Sequence, residues 1–131
     1  MAVFSLQEVK KLQVQNVNDG NFASWPEDSI YGYYGGGFAP GLTPSNTALI
    51  DRIDFSTETT TLPGNNLPAG RFGLAATSSG SYGYFGGGGE LDPTERSSTI
   101  DRLDFSNETT SAAGNNLPQA ITNLAVVSNS N

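Results

Sequence analysis

This sequence predicts an all-β fold built from two four-stranded antiparallel units, and three observations predict it. The first is internal repetition. Residues 31–37 read YGYYGGG and residues 82–88 read YGYFGGG; residues 50–60 read IDRIDFSTETT and residues 100–110 read IDRLDFSNETT; GNNLP stands at 64–68 and again at 114–118. A period of about fifty residues marks a supersecondary unit that buries its faces by stacking on copies of itself. The second is spacing: short runs of strand length are separated by clusters of Gly, Pro, Asn and Ser. The third is that the TIDRLDF run carries Leu103 and Phe105 on one side and Ile100 on the other, so both faces of its sheet have apolar neighbours.

The elements follow in order. Residues 1–30 lie outside the repeat and form a leader. There Ser5-Leu6-Gln7-Glu8 is a capping box, with Phe4 and Val9 at the positions of a hydrophobic staple. A short helix is expected over residues 6–15, with Leu6, Val9 and Leu12 on one stripe and Asp19-Gly20 ending it. Phe22 and Trp25 anchor the linker. The leader is either a packing element or a docking element. Residues 31–131 hold the repeats. In the whole repeat at 67–113, a small apolar first strand is expected at 71–78 and an aromatic–Gly second strand at 82–85. A polar loop at 89–98 leads to a third strand at 99–105. Ser106 and Asn107 turn the chain into a fourth at 108–112. Four short antiparallel strands with apolar residues on both faces describe a propeller blade. Gly35–Gly37 and Gly86–Gly88 are expected where neighbours approach closely or φ is positive.

At 131 residues the chain supports one domain of ordinary size, with a core only if the repeats share it. Cys and His are both absent, which removes disulfides, thiolate chemistry, most metal-ligand sets and most acid–base machinery. With six basic residues and a net charge of −7, concentrated in the second repeat, the chain is a poor polyphosphate binder, and no nucleic-acid partner is expected. No apolar run reaches membrane-spanning length, and MAVFSLQEVKK lacks the order of a signal peptide.

The aromatic-then-GGG second strand, the third strand running into a Glu-Thr-Thr turn, and LPxxR at 67–71 resemble kelch repeats, over residues 31–131. Two departures stand out: no Trp precedes the fourth strand, and Ile121 takes the place of Arg71 in the second LPxx unit. YGYFGGG, IDRLDFSNET, GNNLP and the leader together are similar to the kelch-like repeat proteins of marine tailed phages, notably cyanophages. That resemblance implies a non-enzymatic virion structural protein, made in the host cytoplasm and placed in a tail fibre, neck or decoration appendage, with a host-surface glycan or protein as a candidate contact. It also implies other virion proteins as partners of the leader, through Phe4, Leu6, Val9, Leu12 and Trp25.

Naming the strands of one blade a to d, the repeats run b-c-d-a-b-c-d-a. Two blades do not close a ring, which needs about four to eight. The expectation is a homo-oligomer in which the strand at 121–128, with Ile121, Leu124 and Val126, completes the blade begun by Tyr31 and Tyr33 of the next copy. Three copies give six blades, the favoured ring; two or four copies give four or eight. The other reading is a piece of a longer protein.

Candidate chemistry is sparse. Neither GGG is followed by Lys-Ser/Thr, so a phosphate loop is disfavoured. Asp51, Asp54, Asp101 and Asp104 are expected in ion pairs with Arg52 and Arg102 rather than as a catalytic pair. Glu90, Asp92 and Glu95 approach a calcium loop without its Asp-x-Asp-x-Asp-Gly form. No catalytic residue, metal or cofactor is assigned. The loops after each GGG differ most between repeats, so Phe38, Pro40, Leu42, Glu90, Asp92, Glu95 and Arg96 form a candidate binding rim. The competing functions are a purely architectural ring and a glycan-degrading ring enzyme using Glu90, Asp92 and Glu95.

Overall fold

A computed structural model describes residues 30–90 and 94–129. The described residues form two antiparallel sheets and no helix. The first sheet has the order β1 (Tyr31–Gly35), β2 (Ile50–Asp54), β3 (Thr59–Thr61). The second has the order β4 (Ala75–Ser78), β5 (Tyr82–Gly86), β6 (Ile100–Asp104), β7 (Thr109–Ala112). The helix expected over residues 6–15, and with it Phe4, Leu6, Val9, Leu12 and Trp25, lies outside the described residues.

The repeat in sequence is a repeat in register. Tyr31 faces Asp54 and Gly35 faces Ile50 in the first sheet; Tyr82 faces Asp104 and Gly86 faces Ile100 in the second. The turns match as well. Asp54 Oδ1 accepts from Ser56 N–H at 2.8 Å and its hydroxyl at 2.6 Å, and Asp104 Oδ1 accepts from Ser106 at 2.9 and 2.6 Å. These bonds hold both carboxyls below their ordinary value. Glu58 and Glu108 each follow with φ of 56°, a left-handed backbone that non-glycine residues adopt at a cost.

Two expectations need correction. Only residues 75–78 of the first-strand segment 71–78 form strand, because Arg71 turns inward instead. And neither Arg52 nor Arg102 pairs with the aspartates of its own motif. Adjacent residues of a strand point to opposite faces, so Arg102 and Asp101 diverge, while Asp104, on the face of Arg102, is held by Ser106. Arg52 reaches Glu108 of the other sheet at 2.7 Å instead.

The sheets pack face to face. The ring of Tyr33 stacks on Phe105 at 5.3 Å and 9°, and Tyr33 Oη donates to Glu108 Oε1 at 3.1 Å, the oxygen that also holds Arg52. The Phe85 ring lies against Gly35, where a Cβ would sit only 2.7 Å from it. Ile50, Leu67, Phe85 and Leu103 are buried, with Tyr33, Ala48, Leu74 and Phe105 packed around them. Leu67 and Leu74 come from the connector between β3 and β4, which folds back beside the loop after β1: Leu67 N–H donates to Ala48 C=O at 2.8 Å and Gly37 N–H to Arg71 C=O at 2.8 Å.

Arg71 runs from that connector into the second sheet and is 1% exposed. Its Nη1 donates to the carbonyls of Gly87 at 2.9 Å and Thr99 at 3.0 Å, and its Nη2 pairs with Asp101 Oδ2.

The same connection is made a second time. Leu117 N–H donates to Ser98 C=O at 2.8 Å and Gly88 N–H to Ile121 C=O at 2.9 Å. Gly87, at φ 68°, sits against this passage: a Cβ would meet Ile121 O at 2.7 Å and Leu124 at 2.9 Å. Gly87→Val combines a backbone clash with left-handed strain, so a loss of about 2–3 kcal/mol is expected. For a unit of this size that lowers the midpoint by more than about 8 °C. A melt within a degree or two of the parent would show that the glycine is loop filler.

Residues 124–129 make no strand, although residues 124–128 (LAVVS) align with Leu74 and β4 and carry adjacent β-branched valines. A strand needs a partner for its backbone groups, and this segment has no neighbouring strand among the described residues. Of the residues expected in an inter-subunit strand, Ile121 and Leu124 pack within the chain, at Gly87. Tyr31 and Tyr33 lie on β1, whose other edge pairs with no strand among the described residues.

Candidate functional site

The loops at 36–49 and 87–99 rise from identical bases. Thr47 N–H donates to Gly37 C=O at 2.9 Å, and Ser97 N–H to Gly88 C=O at 2.7 Å. Above the base each loop closes on itself, Ala39 to Ser45 at 2.6 Å and Glu90 to Glu95 at 3.0 Å. The tips are where the sequences diverge, one neutral and Pro-rich, the other acidic.

The structure joins the two tips through a residue that the sequence did not single out. Phe72 bridges to Gly89 by paired backbone bonds of 3.0 and 2.8 Å, and its ring meets Phe38 edge-on at 5.8 Å. Asn46, buried beneath the first loop, donates from Nδ2 to Gly70 C=O at 2.7 Å and fixes the connector there. Loops and connector thus form one continuous rim at one end of the sheets. Phe38 and Leu42 are each 61% exposed, and Pro40, Glu90, Glu95 and Arg96 are exposed with them. Asp92 lies outside the described residues. Phe72 carried a readable signal: it follows Arg71, and a chain that buries Arg71 must turn the next side chain the other way.

Apolar side chains project from the first loop and charged ones from the second, on backbones held by hydrogen bonds. Among the described residues no three carboxylates gather as a metal site would require.

At the other end, an open hollow of about 430 Å³ is lined by Gly80, Ser81, Tyr82, Asp104, Phe105 and Ser106. Its carboxylate, Asp104, is already committed to Ser106. Tyr33 is no acid–base group either. Burial, then the bond to Glu108, push its phenol up to about 12, so it stays protonated and donates.

No family model matches the chain, and no curated protein matches it. Among solved structures, that of the protein YjhT is similar to this chain at 18% identity, over 79% of this chain and 25% of that one, with a TM-score of 0.44. The chain spans about a quarter of the length of that protein.

Proposed function

We propose that this chain is a non-enzymatic virion structural protein of a tailed phage, whose copies close a propeller ring that presents the loop rim to the host surface. The virion setting is supported by the resemblance of the repeats and leader to kelch-like phage proteins. The observation that carries the presenting role is the rim itself: unlike tips on identical bases, which is how a rigid scaffold displays variable contacts. Each sheet is read as a blade, the first lacking the strand that β4 supplies to the second. A strand from a neighbouring copy, residues 125–128, supplies it. Three copies then give six blades.

The leader joins β1 at the end opposite the rim, because β1 runs toward the loop at 36–49. If residues 1–30 dock to the particle, the rim faces outward, and density continuous with the virion on the leader side supports this. A rim buried against the particle favours a purely architectural ring. Phe38→Ser with Leu42→Ser is expected to weaken binding to host cells at least about fivefold while leaving the native mass unchanged, since exposed aromatic anchors carry much of a contact's energy. Unchanged binding would remove the host-contact role.

A further inference from the structure

We infer that the two outward faces of this chain are the complementary halves of a head-to-tail junction between copies, in which Phe55 and Glu58 of one copy receive Tyr84 and Arg102 of the next. This rests on the ring reading above and adds which faces meet and through which side chains.

The template is the junction inside the chain. There the first sheet offers Tyr33, Arg52 and the flat surface at Gly35; the second offers Phe105, Glu108 and Phe85. Each half recurs with no sheet facing it among the described residues. Tyr84 stands opposite Arg102 in the second sheet as Tyr33 stands opposite Arg52 in the first. The guanidinium of Arg102 lies 4.6 Å over Tyr82, as that of Arg52 lies 4.5 Å over Tyr31. Arg102 therefore already has the placement that in Arg52 accompanies the bond to glutamate. A Cβ at Gly86 would meet only Ile100, at 3.6 Å, which leaves the same flat seat as Gly35.

On the first sheet's outer face, Tyr34, Ile53, Phe55 and Glu58 stand where Phe85, Leu103, Phe105 and Glu108 stand on the buried face of the second. Tyr34 is 64% exposed and Phe55 54% exposed. Glu58 keeps the strained φ of 56° that aims Glu108, yet it is exposed and forms no salt bridge among the described residues. A left-handed glutamate is strained, and here it holds a carboxylate for a cation that no described residue of this copy supplies. The first face carries the carboxylates of Asp51 and Glu58 and the second the cation of Arg102 beside Asp104, and the shapes differ, so a face does not mate with its own copy. The association is heterologous, the kind that closes into rings.

One contact of the template is not repeated. Ile121 occupies the repeat position of Arg71, and Asp51 that of Asp101. The junction between copies thus lacks the buried ion pair of the junction within the chain.

The test is a charge exchange read by native mass and sedimentation. Glu58→Arg, on an exposed side chain, is expected to raise the dissociation constant at least about tenfold, and Arg102→Glu likewise. The double variant, in which every junction again opposes unlike charges, should return to within about threefold of the parent. Ile121→Arg should tighten assembly about tenfold by pairing with Asp51 of the next copy. Circular dichroism at a dilution where the parent is monomeric checks that each variant folds. A Glu58→Arg protein that assembles like the parent, or a double variant no better than the singles, overturns the face assignment and leaves the ring reading standing. A parent that stays monomeric at high concentration overturns both.

Discussion

Arg71→Met is expected to cost about 3–5 kcal/mol, enough to lower the thermal midpoint by more than about 12 °C. The methionine keeps the stem's volume but leaves Asp101, 2% exposed, without its cation, and leaves two carbonyls without their donor. Arg71→Met with Asp101→Leu should recover most of the loss, because an apolar pair of similar volume removes the stranded charge. The pH dependence has a definite sign. Burial already pushes the Asp101 carboxyl above its ordinary 3.8, against the pull of Arg71. Without Arg71 only the push remains. A group whose folded pKa lies above its unfolded one lends stability below the unfolded value and loses it as pH rises through the folded value. The single variant should therefore gain on the parent as pH falls from about 7 toward 4. Denaturant titrations at several pH values read this directly. A loss under about 1 kcal/mol, or one independent of pH, would show that water reaches Asp101.

The same pair shows what the sequence could and could not tell. The strands at 82–86, 100–104 and 109–112 fall within a residue of expectation, because alternation and turn residues act locally. Gly87 and Gly88 take positive φ as their place in the Gly run implied. Arg71 was visible at the head of a small apolar run, yet its partner lies 30 positions on, brought there by the folding back of the connector. Local pattern does not encode that approach. Strand alternation alone sets Arg102 and Asp101 on opposite faces, so their separation is legible in the sequence. The rim followed from comparing the loops, whereas its closure through Phe72 depends again on the connector. The strand expected at 121–128 has the residues for one and no neighbour to pair with among the described residues, and propensity without a partner does not make a strand.

Removal of residues 125–131 is expected to convert the assembly to monomer without unfolding the chain. The cut spares what residues 117–123 do for the second sheet, including the bonds of Ile121 to Ser97 at 3.1 Å and of Asn123 to Gly73 at 2.7 Å. It takes away only the segment aligned with β4. β4 places Ala75 opposite Gly86, Ala76 opposite Phe85 and Thr77 opposite Tyr84. Carried to the outer edge of β1, that register sets Ala125 opposite Gly35, Val126 opposite Tyr34 and Val127 opposite Tyr33 of the next copy. Val127 is 91% exposed and Val126 43% exposed in the single chain. An edge strand with an aromatic flank and an unpaired valine segment together would template unregulated association unless each covers the other. The chain has no cysteine, so Tyr34→Cys with Val126→Cys introduces the sole thiols, on residues whose Cα atoms would lie about 4.5–5.5 Å apart across the junction. Oxidation should then link copies into a closed covalent ring of the same number as the native mass. An intact assembly after the truncation, or thiols that stay reduced in the assembled protein, would sink the strand exchange, since the edge of β1 must then be covered by something other than this segment.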